Sequence, residues 1–202
     1  MRAISNQPDN PQTQNNIGLA YKDLGRNYRA IEHFTKAAEL DPDNPDVHNN
    51  LGNVLRIVEK PRKAVAAYER ALKIAPTFAE CWSNLAAALN ELGKHERALK
   101  AVGRALQLDR ELAQAYNNRG DIYLAQAKYE EAVAEYRVAI RLSPKYTAAL
   151  INMARTVRDM DKPEEAAKIL NSQGLQTTID VLGEFIKKLD EAEANKKEYL
   201  EV

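Results

Sequence analysis

Apolar residues recur along most of this chain at the three-and-four spacing of a helix, in short blocks cut by polar stretches that hold Gly or Pro. The first block places Ile17, Leu19, Ala20, Tyr21 and Leu24 together and predicts a helix over about 13–24, closed by Gly25. The next predicts a helix over about 28–40 that stops before Asp41-Pro42, because the residue preceding proline avoids helical geometry. Further on, Pro61 falls where the first turn of a helix tolerates a missing N–H. Gly103 lies inside a predicted helix, at a cost of about 1 kcal/mol relative to alanine. Near the end, Ile179, Leu182, Phe185, Ile186 and Leu189 share one helical face opposite a charged one, and the helix is expected to fray within 191–202.

The blocks keep one register. With Pro11, Pro45, Ala79, Ala113 and Thr147 each taken as position 1, no insertion or deletion is needed over five units of 34 residues. Position 8 reads Gly18, Gly52, Ala86, Gly120, Ala154, and position 20 reads Ala30, Ala64, Ala98, Ala132, Ala166. Position 24 reads Phe34, Tyr68, Val102, Tyr136, Leu170; position 27 reads Ala37, Ala71, Ala105, Ala139 and then breaks at Gln173. Position 32 reads Pro42, Pro76, Arg110, Pro144. This pattern resembles the tetratricopeptide repeat, a helix–turn–helix unit of 34 residues. The resemblance implies an all-α, right-handed α-solenoid of stacked helix pairs, in which small residues at 8 and 20 let the two helices approach. It divides the chain into units at 11–44, 45–78, 79–112 and 113–146, a degenerate fifth at 147–174, and a C-terminal capping helix in 175–202. Residues 1–10 fit either a leader or the remnant of a preceding unit, since Ala3, Ile4 and Pro8 fall on positions 27, 28 and 32.

Charge adds little: 29 Lys+Arg balance 29 Asp+Glu, which points to neither nucleic acid nor an anionic membrane as partner. Cys81 is the only cysteine, so an internal disulfide and a thiolate metal cluster are excluded. No apolar run reaches the roughly 18 residues of a membrane-spanning helix, and the start lacks an apolar signal core. A soluble, cytoplasmic chain without cofactor is the expectation.

Candidate chemistry is sparse. His33, His48 and His95 sit at positions 23, 4 and 17 of three different units, without the converging ligands a metal needs. Cys81 reads as an inert, at least half-buried thiol, and Tyr21, Tyr68, Tyr116, Tyr123 and Tyr136 fall on packing positions. No phosphate loop or nucleophile motif occurs.

One ladder remains: position 6 is Asn16, Asn50, Asn84, Asn118 and Asn152 in all five units. Asparagine is a modest helix former, so the recurrence implies a role beyond propensity. The family resemblance places position 6 near the concave wall, where an amide can pair with both C=O and N–H of an extended peptide. The superhelix of the O-linked N-acetylglucosamine transferases is similar in this respect. Asn at this position can equally bond a neighbouring helix. Sequence favours the ligand role for Asn50, Asn84 and Asn118. The same analogy adds Asn49, Asn53, Arg56, Asn117, Asp121, Arg155 and Arg158 to the candidate peptide-binding wall.

The Lys and Arg set with which some relatives clamp acidic chaperone tails is missing in every frame: from unit 1, only Asn50 matches it. The reading is therefore a non-catalytic protein-interaction scaffold that binds an extended segment of another protein in its concave groove. Two alternatives stay open. One is the substrate-recruiting region of a larger enzyme such as a glycosyltransferase. The other is a self-assembling scaffold, homo-oligomeric through the end of unit 1.

Overall fold

A computed structural model of the chain describes residues 10–160. The fold there is all-α. The described helices are α1 (Pro11–Asp23), α2 (Asn27–Leu40), α3 (Pro45–Ile57), α4 (Pro61–Ile74), α5 (Ala79–Glu91), α6 (His95–Leu108), α7 (Ala113–Ala125), α8 (Tyr129–Leu142) and α9 (Thr147–Asp159). The second helix of the fifth unit and the expected capping helix lie outside the described residues.

Local chemistry sets these boundaries. Asn10 and Asn44 cap α1 and α3, each side-chain oxygen accepting from two N–H groups of the first turn, with proline next in line. The first helix thus begins two residues earlier than the apolar pattern alone predicts, because its first turn is polar. The turn inside each pair is closed by one device. Arg26, Lys60, Lys94 and Lys128 donate their N–H to the carbonyls of Tyr21, Leu55, Leu89 and Tyr123 at 2.8–3.0 Å. That closure places position 15 in left-handed geometry, at φ +69° for Gly25 and Gly93 but +56° for Glu59 and Ala127.

Consecutive helices pack against each other all along the chain, and the odd-numbered helices also meet in the series α1–α3–α5–α7–α9. The row whose members touch is the inside of the curve, so α1, α3, α5, α7 and α9 form the concave wall. Inside each pair the spacing is decided by positions 8 and 24. A Cβ built on Gly18 would stand 2.7 Å from the Phe34 ring, and one on Gly52 or Gly120 would stand 2.5 Å from Tyr68 or Tyr136. In the third pair position 24 shrinks to Val102, and position 8 is then Ala86; both are fully buried.

Two backbone positions are misfilled by the same reasoning. Gly103 sits within α6, where an added Cβ would meet nothing within 4 Å. Gly103→Ala is expected to stabilise the fold by about 1 kcal/mol. Ala127→Gly relieves a left-handed alanine and is expected to do the same by about 1 kcal/mol. Thermal melts of the two single variants and their double check both signs.

Candidate functional site

On the concave wall the asparagine ladder turns sideways. Asn50 Nδ2 donates to Asn15 Oδ1 at 3.2 Å, Asn84 to Asn49 Oδ1 at 3.0 Å, and Asn152 to Asn117 Oδ1 at 3.1 Å. Asn118 Nδ2 donates to both the carbonyl and the hydroxyl of Ser83, at 3.0 and 2.9 Å. Each of these rungs therefore bonds position 5 of the preceding pair, 35 residues back. The acceptors Asn15, Asn49, Ser83 and Asn117 are buried at 8% exposure or less, so Asn49 and Asn117 face the seam and not the open wall. Of the two roles sequence leaves open for these amides, the donors serve the neighbouring helix. The Asn84 carbonyl oxygen is also taken, by Gln114 Nε2 at 2.7 Å. Asn16, on the exposed first rung, accepts from Gln12.

Position 9 carries a second device. The Tyr68 hydroxyl donates to Asn53 Oδ1 at 2.8 Å, and that of Tyr136 to Asp121 Oδ1 at 2.7 Å. These rings fill the core while their polar tips reach the wall. Sequence analysis treats the tyrosines as packing only, yet the signal is there. In the first four units polar position 9 accompanies Tyr at 24 (Asn53 with Tyr68, Asp121 with Tyr136) and apolar position 9 accompanies Phe34 and Val102 (Leu19 and Ala87); the fifth unit departs, with Arg155 and Leu170.

Asp121 is the most heavily coordinated acid of the wall. It also accepts from Asn152 at 2.8 Å and from Asn117 at 3.2 Å. Burial nevertheless pushes its carboxyl up to about 6, against the lowering pull of Tyr136, Arg56 and Asn117. A folded-state value above the unfolded one means that protonated Asp121 favours the fold. That contribution is complete below the ordinary value of 3.8 and is lost as pH rises through about 6. Wild type should thus lose stability between about pH 4 and about pH 6 relative to Asp121→Asn, which removes the titration. Melting temperature against pH for the two proteins measures the difference.

Arg56 reaches one pair further. Its Nε and Nη2 lie 2.9 and 2.8 Å from Glu91 Oε1 on α5, again 35 residues on. Burial works against the charge, but the Glu91 carboxylate and the Tyr68 hydroxyl outweigh it and hold the guanidinium above its ordinary value. Asn53, Arg56, Ile57, Asn84 and Gln114 together line a cavity of about 390 Å³ across α3, α5 and α7. Of the candidate residues, the structure thus brings Asn53, Arg56 and Asn84 into one site. Arg155 is exposed on α9, the next helix of the same row beyond α7, and the side chain of Arg158 lies outside the described residues.

Among the described residues no group of three His, Cys, Asp or Glu could hold a metal ion. The histidines have framework partners: His33 with Gln14 Oε1 at 2.7 Å, His95 with Asn90 Oδ1 at 2.8 Å, and His48 Nε2 with the Pro42 carbonyl at 2.9 Å. The last is a recurring position-4 bond, repeated by Trp82 to Pro76 and Tyr116 to Arg110. Cys81 is fully buried, and burial pushes its thiol up to about 12.

Stacked helix–turn–helix pairs joined by a wall of repeated polar ties define an α-solenoid. Profiles described as tetratricopeptide repeat match residues 45–78, 78–145 and 123–178, and one described as TPR repeat matches 20–55. The chain belongs to the tetratricopeptide-repeat family. No curated protein matches it. Solved structures with this fold include PilF of Pseudomonas aeruginosa, at 24% identity over 81% of this chain and 76% of that one, with a TM-score of 0.68. A thermophilic TPR protein of Thermus thermophilus matches at 20% identity over 85% and 95%, with a TM-score of 0.72. YrrB, titled a TPR protein with an unusual peptide-binding site, matches at 22% identity over 84% and 87%, with a TM-score of 0.58. Family membership supports a protein-interaction scaffold. No described helix is long and apolar enough to cross a membrane.

Proposed function

We propose that the chain is a non-catalytic scaffold that holds an extended peptide segment of another protein along its concave wall, centred on α3, α5 and α7. The cavity lined by Asn53, Arg56, Ile57, Asn84 and Gln114 carries this reading. It combines amide groups, which bond a peptide backbone without regard to sequence, with one exposed apolar side chain, Ile57, for a partner's apolar residue. Arg56 is already neutralised by Glu91, so the cavity is built for a polar, near-neutral segment and not for a bare carboxylate. The ladder residues Asn118 and Asn152 contribute at most a carbonyl oxygen to such a segment, each making two N–H donations within the array, whereas Asn50 makes one and retains a second N–H.

Random peptides displayed on phage and selected on the full chain test this. Enriched peptides should bind about thirtyfold more weakly to the Asn53→Ala/Gln114→Ala variant, for two lost hydrogen bonds of about 1 kcal/mol each. Its melting temperature should fall, because Tyr68 loses an acceptor and Asn84 a donor, but stay above the assay temperature. Equal affinity for wild type and variant would remove the groove from consideration.

A further inference from the structure

The opposite face of the same repeats carries a crevice that the concave-wall reading does not use. It opens between the outer helices α4 and α6 with α5 as its floor, and has a volume of about 410 Å³. Leu72, Trp82, Leu85, Leu89 and Ala101 give it an apolar lining, and Lys73, Arg97, Lys100 and Glu69 stand at the rim. Arg97 is paired with Glu69 at 2.9 Å, whereas Lys73 and Lys100 are exposed and have no carboxylate partner among the described residues. The rim therefore bears two uncompensated positive charges on a chain whose net charge is zero.

The repeat register shows what is special here. The crevice is built by positions 25, 28 and 29 of one unit and 4, 7, 11, 19, 22 and 23 of the next. In the following crevice, between α6 and α8, positions 7 and 23 are Arg119 and Glu135 in place of Leu85 and Ala101. Those two form an ion pair at 2.7 Å, with side-chain exposures of 28% and 16%, which occupies the corresponding place with charge. At positions 29 and 22 the lysine pair Lys73/Lys100 is replaced by Glu39/Ala66 in the preceding crevice and by Gln107/Ala134 in the following one. An apolar floor and an unpaired cationic rim thus coincide only between α4 and α6 among these three. Trp82 is fixed in place, its Nε1–H donating to the Pro76 carbonyl at 2.9 Å, so the indole is presented in one orientation.

We infer that this outer crevice is a second protein-binding site, which seats one bulky apolar side chain of an acidic partner segment against Trp82, Leu85 and Leu89 beneath Lys73 and Lys100. Burial of the anchor on the apolar floor supplies affinity, and carboxylates flanking it meet the lysines. The crevice is open along its length between two helices, as suits a side chain presented by a passing chain. A free small molecule would leave much of its surface in water there.

The tryptophan is the only one in the chain and reports directly on occupancy. Displayed random peptides are selected on the full chain, and the enriched set is counter-selected on two variants. Lys73→Glu/Lys100→Glu reverses the rim. Leu85→Arg/Ala101→Glu imports the ion pair that the next crevice already accommodates. The expected result is a subset with Asp or Glu beside Phe, Leu or Trp. Synthetic members lacking tryptophan should shift Trp82 fluorescence, weaken in raised salt, bind about tenfold more weakly to the rim variant, and fail to bind the second. The rim variant should keep the wild-type melting temperature, whereas the second should stay folded at a lower one, because Leu85 and Ala101 are each 4% exposed. If either one unfolds, Lys73→Gln/Lys100→Gln takes its place. Three results overturn the proposal: enrichment without acidic residues, equal affinity for all the variants, or a Trp82 signal saturated by dodecanoate and not by peptides. Loss of binding in the Asn53→Ala/Gln114→Ala variant would belong to the concave wall and leaves this outcome separate.

Discussion

Gly120→Ala should lower the stability of the array by about 2 kcal/mol, although alanine is the better helix former by about 1 kcal/mol. The new Cβ would lie 2.5 Å from the Tyr136 ring, inside any real contact distance. The ring cannot yield: it is fully buried, and its hydroxyl is tied to Asp121 at 2.7 Å. The helices α7 and α8 must separate instead, and the seams on both sides move with them. The third pair supplies the compensation, since Ala86 is accepted there opposite Val102. Combining Gly120→Ala with Tyr136→Val should therefore cost less than the sum of the two single changes. The Tyr136→Val cavity absorbs the methyl, giving a coupling of about 1–2 kcal/mol. Denaturant melts of the four proteins measure it. Additive single effects would mean that the glycine serves helix flexibility and not the approach of a ring.

This coupling explains how much of the fold is legible in sequence. Gly18 with Phe34, Gly52 with Tyr68, and Ala86 with Val102 repeat one steric bargain at a separation of 16 residues, and a register so constrained can be read without coordinates. The left-handed turn residue is less visible, because Glu59 and Ala127 occupy it as well as Gly25 and Gly93. The wall is legible as a list of polar positions but not as a network. Asn50 and Asn49 look alike in sequence, yet one is half-buried with its donor across a seam and the other is that kind of donor's buried acceptor. What separates them is a one-residue rotation of about 100° around the helix, which decides whether an amide faces the groove or the next pair. The outer crevice lies further from sequence, since it depends on what Arg119 and Glu135 fill in one place and Leu85 and Ala101 leave open in another.

Removing the ladder tests its role most sharply. Asn84→Ala, Asn118→Ala and Asn152→Ala together should destabilise the array by about 3–5 kcal/mol. Each change deletes a hydrogen bond and so strands a buried acceptor, at a total cost of about 2 kcal/mol per site where water cannot reach it. The gain in helix propensity, roughly half a kcal/mol per site, offsets only part of this. The stranded groups are the Asn49 oxygen, the Ser83 carbonyl and hydroxyl, and the Asn117 oxygen, all in residues of 8% exposure or less. Asn152→Ala additionally removes a donor from Asp121, which already lacks the solvation its charge requires. A single change separates donation from packing. Asn84→Asp keeps the shape of the side chain but sets a carboxylate oxygen against Asn49 Oδ1, so it should destabilise more than Asn84→Ala. Because the ties join neighbouring pairs, the loss should fall on the coupling between repeats, and the melt should broaden as well as shift down. A triple variant that melts at the wild-type temperature and with wild-type steepness, while losing affinity for peptides selected on the concave wall, would return the amides to the ligand.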